Sequence, residues 1–137
     1  MILLDTHVVL WYFSNNTQLG RVSRDLIDRQ DRINPFYVSA VSAWEIALLV
    51  KRGRMDLGKS AQSWFEEAKR LSAWRSIPLD IEIAIESAAL PGEFHHDPAD
   101  RFLVATARLN EFTLITADGA ILEYSKSGHV KAVDAGL

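Results

Sequence analysis

The sequence predicts an α/β fold built on a central, mainly parallel sheet. Two observations carry that prediction. Short apolar runs of strand length recur along the chain, and stretches with helical periodicity separate them, which is the alternation of βα units. Scale agrees: 137 residues suffice for one domain with a substantial core, expected to span residues 1–137.

The elements follow in order. Ile2-Leu3-Leu4 reads as a short buried strand that stops at Asp5. Residues 36–39 (Phe-Tyr-Val-Ser) form a second strand. Residues 76–79 form a third, placed at an edge because Pro78 lacks the N–H that an interior strand must donate. Residues 112–116 and 130–133 supply the fourth and fifth. The segment 41–50 is apolar nearly all round through Trp44, Ile46, Ala47, Leu48 and Leu49. Such a helix is expected to be buried on most sides or packed on a partner chain. Ala61, Trp64, Phe65 and Ala68 share one helical face, as do Ile81, Ala84, Ile85 and Ala88, and both faces are predicted to be buried. Phe102, Ala105 and Leu109 mark a further helix entered through Asp97-Pro98. Asp caps free N–H groups there, and Pro suits the first helical turn.

Composition narrows the class. A chain that is 48% hydrophobic and 24% charged reads as a soluble globular protein. No apolar run approaches the roughly 18 residues needed to span a membrane. The opening Met1-Ile-Leu-Leu-Asp5 has no basic segment and is not read as a signal peptide. Absence of cysteine excludes disulfides and thiolate chemistry, and a cytoplasmic location is expected. The net charge of −3 means that nucleic-acid binding does not follow from overall charge and must rest on local patches and on a site.

Acidic residues at element boundaries supply the candidate site. Asp5 closes the first strand and Asp118 follows the fourth; ligands of open α/β sheets bind beyond such carboxyl ends. Glu45 lies in the apolar helix, where its helical neighbours Val41, Ser42, Leu48 and Leu49 offer no cation. A buried carboxylate left so costs several kcal/mol unless it is paired or protonated. Asp97 and Asp100 share one face of a helix start, where the helix dipole favours negative charge. Each acid also has a structural explanation. Asp5, Asp97 and Asp118 are all placed to cap helices, and Ser42-Ala-Trp-Glu45 has the form of a capping box. Brought together, the acids would repel by about 4 kcal/mol per pair at 4 Å and an effective dielectric of 20. A cluster therefore implies a bound cation or raised pKa values. All-oxygen donors suit Mg²⁺ or Mn²⁺, ions that activate water and stabilise charge developing on a phosphate.

The same residues resemble a known family. Met1-Ile-Leu-Leu-Asp5-Thr6-His7 with Trp11, Ser42-Ala-Trp-Glu45-Ile46 running to Lys51-Arg-Gly-Arg54, His96-Asp-Pro-Ala-Asp100-Arg101 with Ala105, and Leu114-Ile-Thr116-Ala-Asp118 resemble, in order, the motifs of PIN domains. The match is to VapC-type ribonuclease toxins of type II toxin–antitoxin systems. This resemblance implies a PIN-like three-layer α/β/α sandwich with strand order 3-2-1-4-5. It implies a Mg²⁺- or Mn²⁺-dependent endoribonuclease acting through Asp5, Glu45, Asp100 and Asp118, with Asp97, Thr6 and Thr116 in support. It further implies an RNA substrate, a cognate antitoxin that blocks the site, and a homodimer.

Other residues have two readings. Lys51, Arg52 and Arg54 follow the Glu45 helix and could hold RNA phosphates, although a solvated face explains them too. Arg101 beside Asp100 could contact substrate or pair with an acid. His95 and His96, being adjacent, do not form a chelating pair on one helix face; a loop position or RNA contact is expected. His7 either faces the site or packs in its helix, and Trp11, Tyr12, Phe13 and Trp44 read first as core.

Competing activities fit less well. A haloacid-dehalogenase-like enzyme needs Asp-x-Asp after the first strand, and here the run is Asp5-Thr6-His7. A receiver domain needs a Lys after the fifth strand, but Lys131 falls within it. A PIN-fold nuclease for RNA processing, or an inactive PIN-fold binding module, are the remaining alternatives; all four motif acids are present, which disfavours the second.

Overall fold

The computed structural model describes residues Met1–Leu137. Five strands, β1 (Ile2–Leu4), β2 (Phe36–Ser39), β3 (Trp74–Ile77), β4 (Thr113–Thr116) and β5 (Lys131–Asp134), form one sheet in the order β3-β2-β1-β4-β5. Every pairing is parallel, with Leu3 beside Tyr37 on one side and Leu114 on the other. The helices are α1 (Thr6–Phe13), α2 (Arg21–Asp28), α3 (Ala40–Lys51), α4 (Ala61–Leu71), α5 (Ile81–Ala88), α6 (Pro98–Asn110) and α7 (Gly119–Ser125). None is long and apolar enough to cross a membrane.

Side chains alternate across the strands, so the central strands feed two cores. Ile2, Leu4, Phe36, Val38 and Ile115 pack with Val8, Val9, Ile27 and Ile46 from α1, α2 and α3. Leu3 and Leu114 pack with Ile83, Leu103, Val104, Ile121 and Tyr124 from α5, α6 and α7. This is the three-layer sandwich. Because all strands run the same way, their carboxyl ends share one edge, and α1, α3 and α7 each begin within three residues of a strand end on that edge.

The structure corrects several sequence expectations. The third strand begins two residues earlier than expected and ends before Pro78, because Trp74 packs against the first core and donates its indole N–H to Ala68 O at 2.9 Å. It is an edge strand, as Pro78 suggested. On α4, Ala68 is buried and Trp64 and Phe65 pack against the first core, as expected. On α5 the expected face is reversed: Ile81 and Ile85 are 78% and 65% exposed, while Ile83 and Ser87 are buried. Isoleucine at 81, 83 and 85 gives this short helix two apolar faces, and packing against α6 selects one. On α6, Leu109 is 45% exposed, and Leu103, Val104 and Ala107 form the buried face with Ala105. Helix α3 is not buried on most sides: Val41, Ser42 and Ile46 face inward, and Trp44 is 57% exposed. Its N-cap is Ser39, whose hydroxyl accepts from Val41 N, so Ser42 and Glu45 do not form a capping box.

Candidate metal centre

Asp5 sits at the end of the central strand and caps α1, the structural role foreseen for it. Its backbone N–H donates to Ile115 O at 3.0 Å, continuing the sheet. Oδ1 accepts from Thr6 N at 2.7 Å, capping α1, and Oδ2 accepts from the Thr116 hydroxyl at 2.6 Å. The residue is only 7% exposed. Burial pushes its carboxyl above the usual range; the bonds from Thr116 and Thr6 and the nearby His7 oppose that rise, and Asp118 adds to it.

Buried Thr116, at the end of β4, also accepts from Asp118 N at 2.9 Å. One hydroxyl thus ties Asp5 to the segment carrying Asp118. Asp118 caps α7, accepting from Ala120 N and Ile121 N through Oδ1. Asp97 caps α6 in the same way, accepting from Ala99 N and Asp100 N. Capping occupies one oxygen of each and leaves the other available.

Glu45 reaches the site from α3. The Thr6 hydroxyl lies 2.5 Å from Glu45 Oε1 and 2.9 Å from Ser42 Oγ, so the start of α1 is tied to α3. No Lys or Arg pairs with Glu45 in three dimensions either, and it is in no ion pair. Burial raises its pKa, Asp5 and Asp97 add to the rise, and the Thr6 hydrogen bond and nearby His7 oppose it.

Asp5, Glu45, Asp97, Asp100 and Asp118 line one cavity of about 340 Å³, together with Thr6, His7, Trp11 and Ala117. No Lys or Arg is among them. Asp100 bears the consequence: burial, then repulsion from Asp5, Asp118, Asp97 and Glu45, push its carboxyl up to about 8. Oxygen-rich donors that cannot all ionise together are the surroundings a divalent cation relieves. The residues present therefore fit such an ion.

Among the expected substrate contacts, Lys51, Arg52 and Arg54 are exposed at the end of α3 and do not line the cavity. Arg101 is turned away from it. Its Nε donates to Ser87 O at 2.8 Å, and Nη1 to Phe94 O and His95 O at 3.1 and 3.2 Å. Arg101 thereby clamps the loop before α6. His7 is exposed and lines the cavity, and half-buried Trp11 packs against the first core, as expected, while also bordering the cavity. His95 lies in a loop, as expected, but its closeness to Asp100 was not foreseen. Its Nε2 lies 3.1 Å from Asp100 Oδ2, and its position beside His96, just ahead of the Asp97 cap, was the available signal.

Fold and site together define an α/β protein with a cation-seeking acidic pocket at the carboxyl edge of a parallel sheet. The chain belongs to the PIN domain family, whose model matches residues 2–127. It is 31% identical to Ribonuclease VapC22 of Mycobacterium tuberculosis (strain ATCC 25618 / H37Rv) over 117 residues, covering 85% of this chain and 86% of that protein. Among solved structures it is similar to FitAB bound to an IR36 DNA fragment, with TM-score 0.69 and 26% identity over 100% of this chain and 96% of that one. A toxin–antitoxin complex from Klebsiella pneumoniae has the same fold, with TM-score 0.64 and 21% identity over 98% of each chain.

Proposed function

We propose that this protein is a metal-dependent endoribonuclease that hydrolyses RNA phosphodiester bonds, and that it is the toxin of a type II toxin–antitoxin pair acting in the cytoplasm. The observation that carries the chemistry is the convergence of five acids on a cavity without Lys or Arg, in a PIN domain. The relative that is a VapC ribonuclease supports RNA as substrate, and the toxin–antitoxin complex of the same fold supports the setting.

Asp5, Glu45, Asp100 and Asp118 would hold Mg²⁺ or Mn²⁺, with Asp97 as an outer member. A divalent ion bound there supplies a lowered water pKa and neutralisation of charge developing on the scissile phosphate. Thr116 and Thr6 aim Asp5 and Glu45 and oppose the burial-driven rise of their carboxyls, since a hydroxyl donor favours the carboxylate form. Lys51, Arg52 and Arg54 would track the RNA backbone outside the pocket. Arg101 serves the site through the loop it clamps. The antitoxin, and a second copy of the chain, require apolar surface; exposed Trp44 and Leu79 border an apolar groove of about 320 Å³ with Phe102.

The test is RNA cleavage by wild type, Asp5→Asn and Asp100→Asn in Mg²⁺, Mn²⁺ or EDTA. Cleavage that needs the metal and drops by orders of magnitude in either variant is the expected result. Cleavage that survives EDTA, or that all three proteins share, would sink the mechanism. Growth arrest on expression, relieved by the product of an adjacent gene, tests the toxin role separately.

A further inference from the structure

The acidic pocket has a nitrogen at its rim. His95 Nε2 is shielded from solvent yet makes no hydrogen bond within the protein, although it lies 3.1 Å from Asp100 Oδ2. An imidazole nitrogen and a carboxyl oxygen at that spacing can both serve as donors to one shared cation. Donor atoms of His95, Asp100 and Asp118 all fall within 4.8 Å of one another. Adjacent donors on an octahedral ion with bonds of about 2.1 Å stand about 3.0 Å apart, close to the spacing of the His95–Asp100 pair.

The imidazole is held in place from behind. Arg101 Nη1 donates to Phe94 O and to His95 O, fixing the backbone on both sides of the peptide that carries the ring. The Phe94 ring meets the His95 ring edge-on at 4.4 Å and packs on Tyr124 at 4.8 Å. Tyr124 in turn donates its hydroxyl to Pro91 O. A loop built this way presents a ligand at a set position, at little further ordering cost.

We propose that His95 is a nitrogen ligand of this site, completing a mixed set with Asp100 and Asp118 that biases the protein from Mg²⁺ toward first-row transition ions. The inference rests on the metal-dependent reading above and adds a residue and an ion preference to it. Imidazole is a poor ligand for Mg²⁺ and a good one for borderline ions, so its removal costs the two kinds of ion unequally.

The experiment is ion binding by the whole chain, without RNA. Mn²⁺, Co²⁺ and Mg²⁺ are titrated calorimetrically into wild type, His95→Gln, His95→Ala, His96→Gln and Asp100→Asn, with thermal melts to confirm folding. Pulsed electron paramagnetic resonance on the Mn²⁺ form reads nitrogen coupling directly. The expected result is a loss of about tenfold or more in Mn²⁺ and Co²⁺ affinity in both His95 variants, with Mg²⁺ affinity changed by no more than about threefold. The nitrogen coupling is expected in wild type and His96→Gln, and absent from His95→Gln and His95→Ala. Equal losses for all ions, or a nitrogen coupling unaffected by the His95 variants, would overturn the proposal. Binding lost in Asp100→Asn but unchanged in His95→Gln overturns the histidine ligand alone and leaves the ribonuclease reading standing. Failure of wild type to bind any ion overturns both.

Discussion

The Thr116 hydroxyl donates to Asp5 Oδ2 at 2.6 Å, joining the ends of two neighbouring parallel strands that lie 111 residues apart in the chain. Both residues are buried, so the bond is little exposed to competing solvent. Thr116→Val keeps the shape and removes the donor. The variant is expected to lose about 1–3 kcal/mol of stability, the cost of an unsatisfied buried polar group. Urea denaturation measures this, and cleavage should fall with it, because Asp5 is left easier to protonate. A variant as stable and as active as wild type would show that the bond neither aims nor charges Asp5.

Stability without metal should depend on pH in a direction set by the site. Asp5, Glu45 and Asp100 all have carboxyls raised above their ordinary values, Asp100 from 3.8 to about 8. The folded state therefore holds protons that the unfolded chain has released, and this contribution is fully present below about pH 4 and lost as pH rises to about 8. Subtracting the melting profile of Asp100→Asn from that of wild type isolates the effect. The difference should turn against wild type between about pH 5 and pH 8, and a divalent cation should reverse it most at the alkaline end, where it displaces fewest protons. A flat difference profile would contradict the raised value.

Arg101 should matter although it does not line the cavity. Arg101→Lys keeps the charge but cannot span three carbonyls, since a lysine offers one point donor in place of a planar fork. We expect a loss of about 1.5–3 kcal/mol, the usual worth of hydrogen bonds from a charged group. Cation affinity should drop in parallel as the loop loosens. Retention of both would place the loop's order in its aromatic contacts instead.

The two isoleucine faces of α5 are separable by stability alone. Ile83→Ala should cost about 2–5 kcal/mol, because Ile83 is fully enclosed in the second core. Ile85→Ser should change stability by no more than about 0.5 kcal/mol, as expected for a surface position. Similar costs for the two would mean that the helix is rotated from the arrangement described.

Much of the fold was legible because its signals are local. Strand positions were read to within two residues from short apolar runs, and Asp97-Pro98 marked the start of α6 correctly, since capping and proline's fixed φ act within one turn. What misled was helical face. Ile81 and Ile85 look as buriable as Ile83, and only the neighbouring α6 decides between them. Trp44 looked like core and is exposed, because the buried face of α3 is formed by Val41, Ser42 and Ile46. Arg101 looked like a substrate contact from its place beside Asp100, but the next residue on a helix points elsewhere, and its guanidinium finds the loop carbonyls.

The sequence by itself determined where the acidic residues stand relative to the strands and helices. Asp5, Asp97 and Asp118 sit at strand ends and helix starts, where local backbone groups hold a carboxylate, and Glu45 sits in a helix with no cation to pair it. Tertiary structure alone decided that they meet. With β1 between β2 and β4 and every strand parallel, the segments following all three strands emerge at one edge. Packing then brings α6 and its preceding loop over that edge with Asp100 and His95. Periodicity cannot specify such an arrangement, because it records which face of each element avoids water and not which faces meet. The charge that the assembled site must neutralise, seen in Asp100 held up to about 8, belongs to no single motif and exists only once the acids share a cavity.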